Sequence, residues 1–189
     1  MILDTFSITA LTVAFAEIGD RTQLLSLVLV SKYRKPHIIC LAIVFATIIN
    51  HFVSAWFGYQ ISHFISETYL KWILIISFLG FSIWVLVPDK LDEGYNSKSK
   101  FGVFLTSFVA FSLAEIGDKT QIATIALGAK FSNELGWVVF GTTVGMILAN
   151  YPVLIFGEKL IKKIPLKTIR IITSILFLFL AVLTFFKFG

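Results

Sequence analysis

Six long apolar stretches follow one another along the chain, and each is long enough to cross a lipid bilayer as an α-helix. They run at about 5–30, 38–61, 70–87, 102–128, 136–156 and 167–186. Together they use most of the 189 residues and leave no room for a soluble catalytic domain. The pattern predicts an all-α integral membrane protein with six transmembrane helices.

The composition agrees with a membrane protein. The chain is 57% hydrophobic and 14% charged, whereas about a quarter of the residues of a soluble domain are charged. The net charge of +5 could suggest nucleic acid, but Lys and Arg are concentrated after the first, third and fifth spans. By the positive-inside rule those loops are cytoplasmic and both termini lie outside. We therefore expect contact with the lipid bilayer and no nucleic-acid partner.

An eight-residue peptide occurs twice, as AEIGDRTQ at 16–23 and as AEIGDKTQ at 114–121. Each copy places three formal charges inside an apolar span. Because a charge at the bilayer centre costs about 2.5–3.5 kcal/mol on insertion scales, we expect these charges to face one another, a buried polar cavity or water. Gly19 and Gly117 stand within the peptides, where a helix can break and free backbone carbonyls for an ion.

The repeat extends beyond this peptide, since 48–58 in the second span parallels 147–157 in the fifth. The chain is interpreted as a first three-helix repeat over 1–87 and a second over 101–189, joined by a polar cytoplasmic linker over 88–100. An odd number of spans in each half forces the two halves into opposite orientations. This is the inverted-repeat design of secondary transporters, whose binding site lies near the midplane at the repeat interface.

The two peptides are rich in oxygen ligands. On a continuous helix Glu17 and Asp20 share a face because they are three residues apart, and so do Glu115 and Asp118. The candidate metal ligands are Glu17, Asp20, Thr22, Gln23, Glu115, Asp118, Thr120 and Gln121. Such a hard ligand set suits Mn²⁺, Ca²⁺ or Mg²⁺. Four ionised carboxylates cannot share a dry site with two cationic side chains, so some take up protons until a metal ion expels them.

Two cationic residues accompany the acids. Arg21 and Lys119 stand four residues after Glu17 and Glu115, and this spacing predicts an ion pair within each peptide. We also hypothesise that the two cations act as surrogate ligands of the carboxylates when no metal is bound. Replacing Lys119 by Gln would test that role.

Polar residues of the second and fifth spans are candidates to line an ion path. His51 and Asn150 occupy matching positions in the two spans, and Asn50 precedes His51. His51 could act as a ligand or a proton carrier, but a hydrogen-bonded polar core residue is the favoured interpretation of all three. Glu158 is expected at a span end, as solvated surface or at a cytoplasmic mouth.

The doubled E-x-G-D-[KR]-[TS] motif resembles the GDT-type cation/proton exchanger family, which includes Golgi Ca²⁺/Mn²⁺ transporters and bacterial manganese exporters. Residues 17–22 and 115–120 match the motif without departure, and the resemblance covers essentially the whole chain. It implies export of Mn²⁺ or Ca²⁺ from the cytosol in exchange for protons, with the acidic residues as ligands and no cofactor. It does not fix Mn²⁺ over Ca²⁺. The short chain looks like a prokaryotic member in the inner membrane.

Several other functions fit parts of the pattern. A small amino-acid exporter shares the six-span layout, although four acids are too many for a zwitterion. A Na⁺-coupled or passive pathway for divalent cations also stays open. An intramembrane aspartyl protease is disfavoured, because each aspartate is followed by a cation that would hold it ionised, whereas a protease dyad must share a proton. We therefore expect no enzyme activity, and the oligomeric state is left open.

Overall fold

The computed structural model describes residues 2–87, 102–157 and 165–187, and over these residues the secondary structure is helical with no strand. The α-helices in chain order are α1 (Ile2–Glu17), α2 (Arg21–Tyr33), α3 (Pro36–Phe64), α4 (Glu67–Trp84), α5 (Val103–Glu115), α6 (Lys119–Lys130), α7 (Leu135–Phe156) and α8 (Leu166–Lys187). A short 3-10 helix, Ser132–Glu134, precedes α7. The predicted linker over 88–100 and Glu158 lie outside the described residues, so the division into repeats stays a prediction.

Four of the described helices are long and apolar enough to cross a membrane. These are α3, α4, α7 with the 3-10 turn before it, and α8. The other two predicted spans, 5–30 and 102–128, are not continuous helices, because each is divided into two shorter ones. The sequence thus located the apolar helical segments, and two of the six predicted spans contain a break.

Both interruptions occur at the glycines of the repeated peptide. Gly19 has φ +83° and Gly117 has φ +73°, a left-handed conformation that costs glycine little and other residues about 1–2 kcal/mol. Asp20 and Asp118 follow in extended conformation as the N-caps of α2 and α6. The prediction that the helices break at these glycines is confirmed.

Helices from one half of the chain pack mainly against helices from the other half. The helix α1 packs on α7, α3 packs on α5, α6 and α7, and α4 packs on α8. Glycines bring two of these pairs into backbone contact, since a Cβ added at Gly145 would overlap the Ala10 carbonyl and one added at Gly128 would overlap the Ala55 carbonyl. Small residues of this kind are typical of helix contacts in membranes.

The interior of the described structure is unusually polar and its surface unusually apolar. Buried apolar side chains form one cluster around Phe78, Phe177 and Leu127 and another around Phe111 and Met146. Many large apolar side chains are exposed on α3, α4 and α8, while carboxylates, threonines and amides lie inside. This distribution is the one expected when lipid rather than water surrounds the helices.

Candidate metal centre

The two helix breaks share one local geometry. At the first break the Asp20 N–H donates to the Glu17 carbonyl (3.0 Å), and at the second the Asp118 N–H donates to the Glu115 carbonyl (3.1 Å). The sequence placed each Glu/Asp pair on one face of a continuous helix. That geometry is wrong, because α1 ends at Glu17 and α5 ends at Glu115. A tight turn instead keeps the backbones of each pair close.

Three carboxylates from the two peptides meet inside the structure. Glu17, Asp20 and Asp118 each offer an oxygen, and these oxygens lie within 4.8 Å of one another. All three side chains are buried, with at most 3% exposure. The first peptide therefore supplies two members of the cluster and the second supplies one. The prediction of a four-carboxylate group is not reproduced, since the cluster found among the described residues does not contain Glu115.

Glu17 is only partly held by hydrogen bonds. Its Oε1 accepts from the Thr22 hydroxyl and from Asn150 Nδ2 (3.2 Å). The Asn150 Oδ1 in turn accepts from the Ser26 hydroxyl (2.7 Å), which fixes the orientation of the amide. The buried Oε2 of Glu17 has no hydrogen-bond partner in the described part of the chain. One oxygen of this side chain is thus anchored and the other is available to a cation.

Glu115 has a different environment. Its Oε1 accepts from the Thr47 hydroxyl (2.9 Å) and its Oε2 accepts from Asn50 Nδ2 (2.8 Å). Both donors come from α3, so this carboxylate is held on both sides by one helix. Its hydrogen bonds to α3 explain why it stands apart from the other three acids although its peptide is nearly the same.

The two cations do not behave as the spacing predicted. Arg21 Nε lies 3.3 Å from Asp118 Oδ1, and Arg21 Nη2 donates to the Ile116 carbonyl (3.4 Å). The guanidinium therefore pairs with the second peptide rather than with Glu17, because the break before α2 removes the helical spacing on which the prediction relied. The Lys119 amine donates to the Val87 carbonyl (3.3 Å) and lies 6.0 Å from the centre of the Trp84 ring.

The predicted amide and hydroxyl ligands mainly support the breaks. The Gln23 Oε1 accepts from the Gly19 N–H (2.8 Å), and the corresponding oxygen of Gln121 accepts from the Gly117 N–H (2.6 Å). Each glutamine thereby accepts a hydrogen bond from a backbone N–H group that has no carbonyl partner at the helix break. In the second peptide the Thr120 hydroxyl donates to Asp118 Oδ2 (3.2 Å). These contacts hold the acids and the turns in place.

The path-lining candidates divide into two kinds. Asn50 and Asn150 each donate to a buried glutamate of the other half, so they are equivalent in role, although the sequence matched Asn150 with His51. His51 is fully buried, and neither ring nitrogen has a hydrogen-bond partner among the described residues. The expected hydrogen bond of His51 is thus not found within the described residues. Sequence reasoning missed Thr47, whose signal was a polar residue three positions before Asn50 on an apolar helix.

The cluster suits a small, hard cation. Three carboxylates carry a formal charge of −3, and the paired Arg21 offsets one unit of it. A group with this excess of negative charge attracts a divalent ion, whose oxygen ligands are carboxylates, hydroxyls and carbonyls. Buried charge of this kind is costly in a membrane and marks an ion path by default. The helices and the cluster together define a membrane transport protein for cations.

Comparison with known proteins identifies the family. The model of the divalent cation/proton antiporter GDT1 family matches residues 5–93 and 103–188, and the chain belongs to this family. It is 51% identical over 185 residues to a Vibrio cholerae protein named "Putative manganese exporter", with 98% of this chain and 92% of that protein covered.

More distant relatives carry the family name. A rice protein, GDT1-like protein 4, is 27% identical over 98% of this chain and 74% of its own length. A GDT1-like protein of Synechocystis is 26% identical over 96% of this chain and 97% of its own length. No solved structure matches the chain. The family membership agrees with the resemblance carried by the doubled motif.

Proposed function

We propose that this protein exports Mn²⁺ from the cytosol in exchange for protons and binds the ion at Glu17, Asp20 and Asp118. The observation that carries the proposal is the meeting of these three buried carboxylates from two separate helix breaks. The family supplies the exchange of a divalent cation for protons. The name of the Vibrio cholerae relative favours Mn²⁺ as substrate, while the oxygen ligands also suit Ca²⁺. The ion is substrate, and the proposal includes no resident cofactor.

Charge balance provides the coupling. The two peptides together contain four acids and two cations, a net formal charge of −2. Uncompensated charge is costly at membrane depth, and either one divalent cation or two protons cancel this charge. The site can therefore change its exposure from one side of the membrane to the other at low cost in two states, when it holds the metal ion and when it is protonated. Competition for the same carboxylates then links the two fluxes.

The proposed architecture has six crossings in two inverted repeats. In it α1 with α2 and α5 with α6 each make one interrupted crossing, and the four long helices make the others. The packing of each half on the other and the same break in both peptides support this arrangement. We place the basic loops in the cytoplasm and the chain in a prokaryotic inner membrane. Labelling of single cysteines placed at Arg34 and at Asn133, in a chain without Cys40, tests the orientation, since the two should label from opposite sides.

The function is tested with purified protein in vesicles that carry an imposed pH gradient. Addition of Mn²⁺ should dissipate the gradient and load the vesicles with the metal. The variant Asp118→Asn should abolish both fluxes, whereas Glu67→Gln, which changes an exposed carboxylate at the start of α4, should leave both unchanged. If neither Mn²⁺ nor Ca²⁺ dissipates the gradient in vesicles of the unaltered protein, the proposal is rejected.

A further inference from the structure

His51 is the buried polar side chain whose surroundings the cluster does not explain. It lies on α3, has no exposed surface, and both of its ring nitrogens lack a hydrogen-bond partner within the described residues. Buried polar groups are almost always hydrogen-bonded, because desolvation without compensation is costly. An imidazole that is kept in the interior at this cost requires a role other than packing.

The position of His51 on α3 is fixed by its neighbours one turn away on either side. Thr47, four residues before it, donates to Glu115 at the end of α5. Ala55, four residues after it, is in backbone contact with Gly128 of α6. Residues at this spacing lie on one face of a helix. The imidazole therefore lies on the face of α3 that packs against the end of α5 and against α6, in the interior rather than toward lipid.

We propose that His51 provides a nitrogen ligand that makes the ion path select Mn²⁺ over Ca²⁺. This inference rests on the proposed function and deepens it. The carboxylate cluster offers oxygen alone, and Ca²⁺ and Mn²⁺ both accept oxygen ligands. Ca²⁺ is bound in proteins by oxygen, whereas a neutral imidazole is a common ligand of first-row transition metals. An imidazole nitrogen on this face of α3 would add a ligand that stabilises Mn²⁺ and does not stabilise Ca²⁺.

The test is a competition between the two ions in proteoliposomes. His51→Gln keeps a polar side chain but replaces the imidazole by an amide, whose oxygen suits Ca²⁺. We expect the ratio of initial Mn²⁺ uptake to Ca²⁺ uptake to fall about tenfold, the lower range of the loss seen when metal sites lose a supporting group. His63→Gln, at the exposed end of the same helix, is the matched control and should leave the ratio unchanged. An unchanged ratio in His51→Gln overturns the inference, whether the uptake of both ions stays the same or falls equally.

A measurement on the unaltered protein covers the case in which the variant fails to fold. Pulsed electron paramagnetic resonance of the Mn²⁺-loaded protein in detergent should show the ¹⁴N modulation of a bound imidazole, and its absence overturns the inference. The two proposals fail in different ways. If the unaltered protein transports neither ion, the proposed function is rejected together with the inference. If it exchanges Mn²⁺ for protons and shows no ¹⁴N modulation, the inference alone is rejected.

Discussion

Replacing Glu17 by Gln should make the metal-free protein more stable and abolish its response to Mn²⁺. The change keeps the shape of the side chain, and its amide oxygen can still accept from Thr22 and Asn150. It removes one negative charge from a buried group whose oxygens lie within 4.8 Å of one another. Like charges at this separation repel, so the unaltered protein pays in stability for its binding site.

The size of the effect follows from the geometry. Two unit charges 4.8 Å apart repel by about 3.5 kcal/mol at an effective dielectric constant of about 20. Arg21 beside Asp118 offsets part of this repulsion, and bound protons remove more, so we expect a net relief of about 1–2 kcal/mol. For a chain of this length the apparent unfolding temperature should rise by about 2–8 °C.

Glu115→Gln is the matched control, since it makes the same chemical change at the corresponding position of the other peptide. Both Glu115 oxygens accept hydrogen bonds, from Thr47 and from Asn50. In Glu115→Gln the amide oxygen can accept from Asn50 and the amide nitrogen can donate to the Thr47 hydroxyl oxygen, because a hydroxyl also accepts hydrogen bonds. Metal-free Glu115→Gln should therefore unfold close to the temperature of the unaltered protein, without the rise expected for Glu17→Gln.

Thermal unfolding in detergent, first with a chelator and then with Mn²⁺, measures both effects. The unaltered protein and Glu115→Gln should be stabilised by Mn²⁺, and Glu17→Gln should not. Two results would refute the reasoning. One is an equal rise in the unfolding temperature of both variants without metal, and the other is a full Mn²⁺ response in Glu17→Gln.

Three further predictions concern the supports of the site. Asn150→Leu should destabilise the protein by about 1–3 kcal/mol and sharply reduce Mn²⁺ transport, and normal transport by a folded variant would contradict the role given to this amide. Gly145→Val should push α7 away from Ala10 of α1 and lower the unfolding temperature, while Gly80→Ala, where an added Cβ meets nothing within 4 Å, should be near neutral. Gly117→Ala meets no atom but has φ +73°, so urea or SDS unfolding should show a loss of about 1–2 kcal/mol, and an unchanged midpoint would exclude backbone strain there.

Several features of the fold could be predicted because they depend on local chemistry. The apolar segments identify the helices, and a glycine between charged residues inside such a segment indicates where a helix breaks. The acids of the repeated peptide were recognisable because a charge in an apolar span demands a partner. The doubled motif also sufficed to indicate the family, which the match over residues 5–93 and 103–188 confirms.

The partners of each side chain could not be predicted, because they depend on how distant helices pack. Symmetry of the peptides suggested four equivalent acids, yet α3 holds Glu115 by two hydrogen bonds and leaves Glu17 with the aspartates. Arg21 reaches across to Asp118 because the chain turns between α1 and α2. The equivalence of Asn50 and Asn150 was hidden by a one-residue difference between the halves. The spacing of residues along the chain predicts none of these contacts.

Glu17 and Glu115 have different hydrogen-bond partners, and this difference has a consequence for how the protein can change conformation. The two glutamates belong to nearly the same peptide, so their difference arises from the helices around them rather than from the peptides. Exchanging the two environments would alter the packing of α3 and α7 but would require no new kind of interaction. The free energies of the two arrangements then differ little, because both contain the same kinds of hydrogen bond and helix contact. Duplication of a sequence can in this way supply bistability, with two conformers close enough in free energy for one bound ion to choose between them.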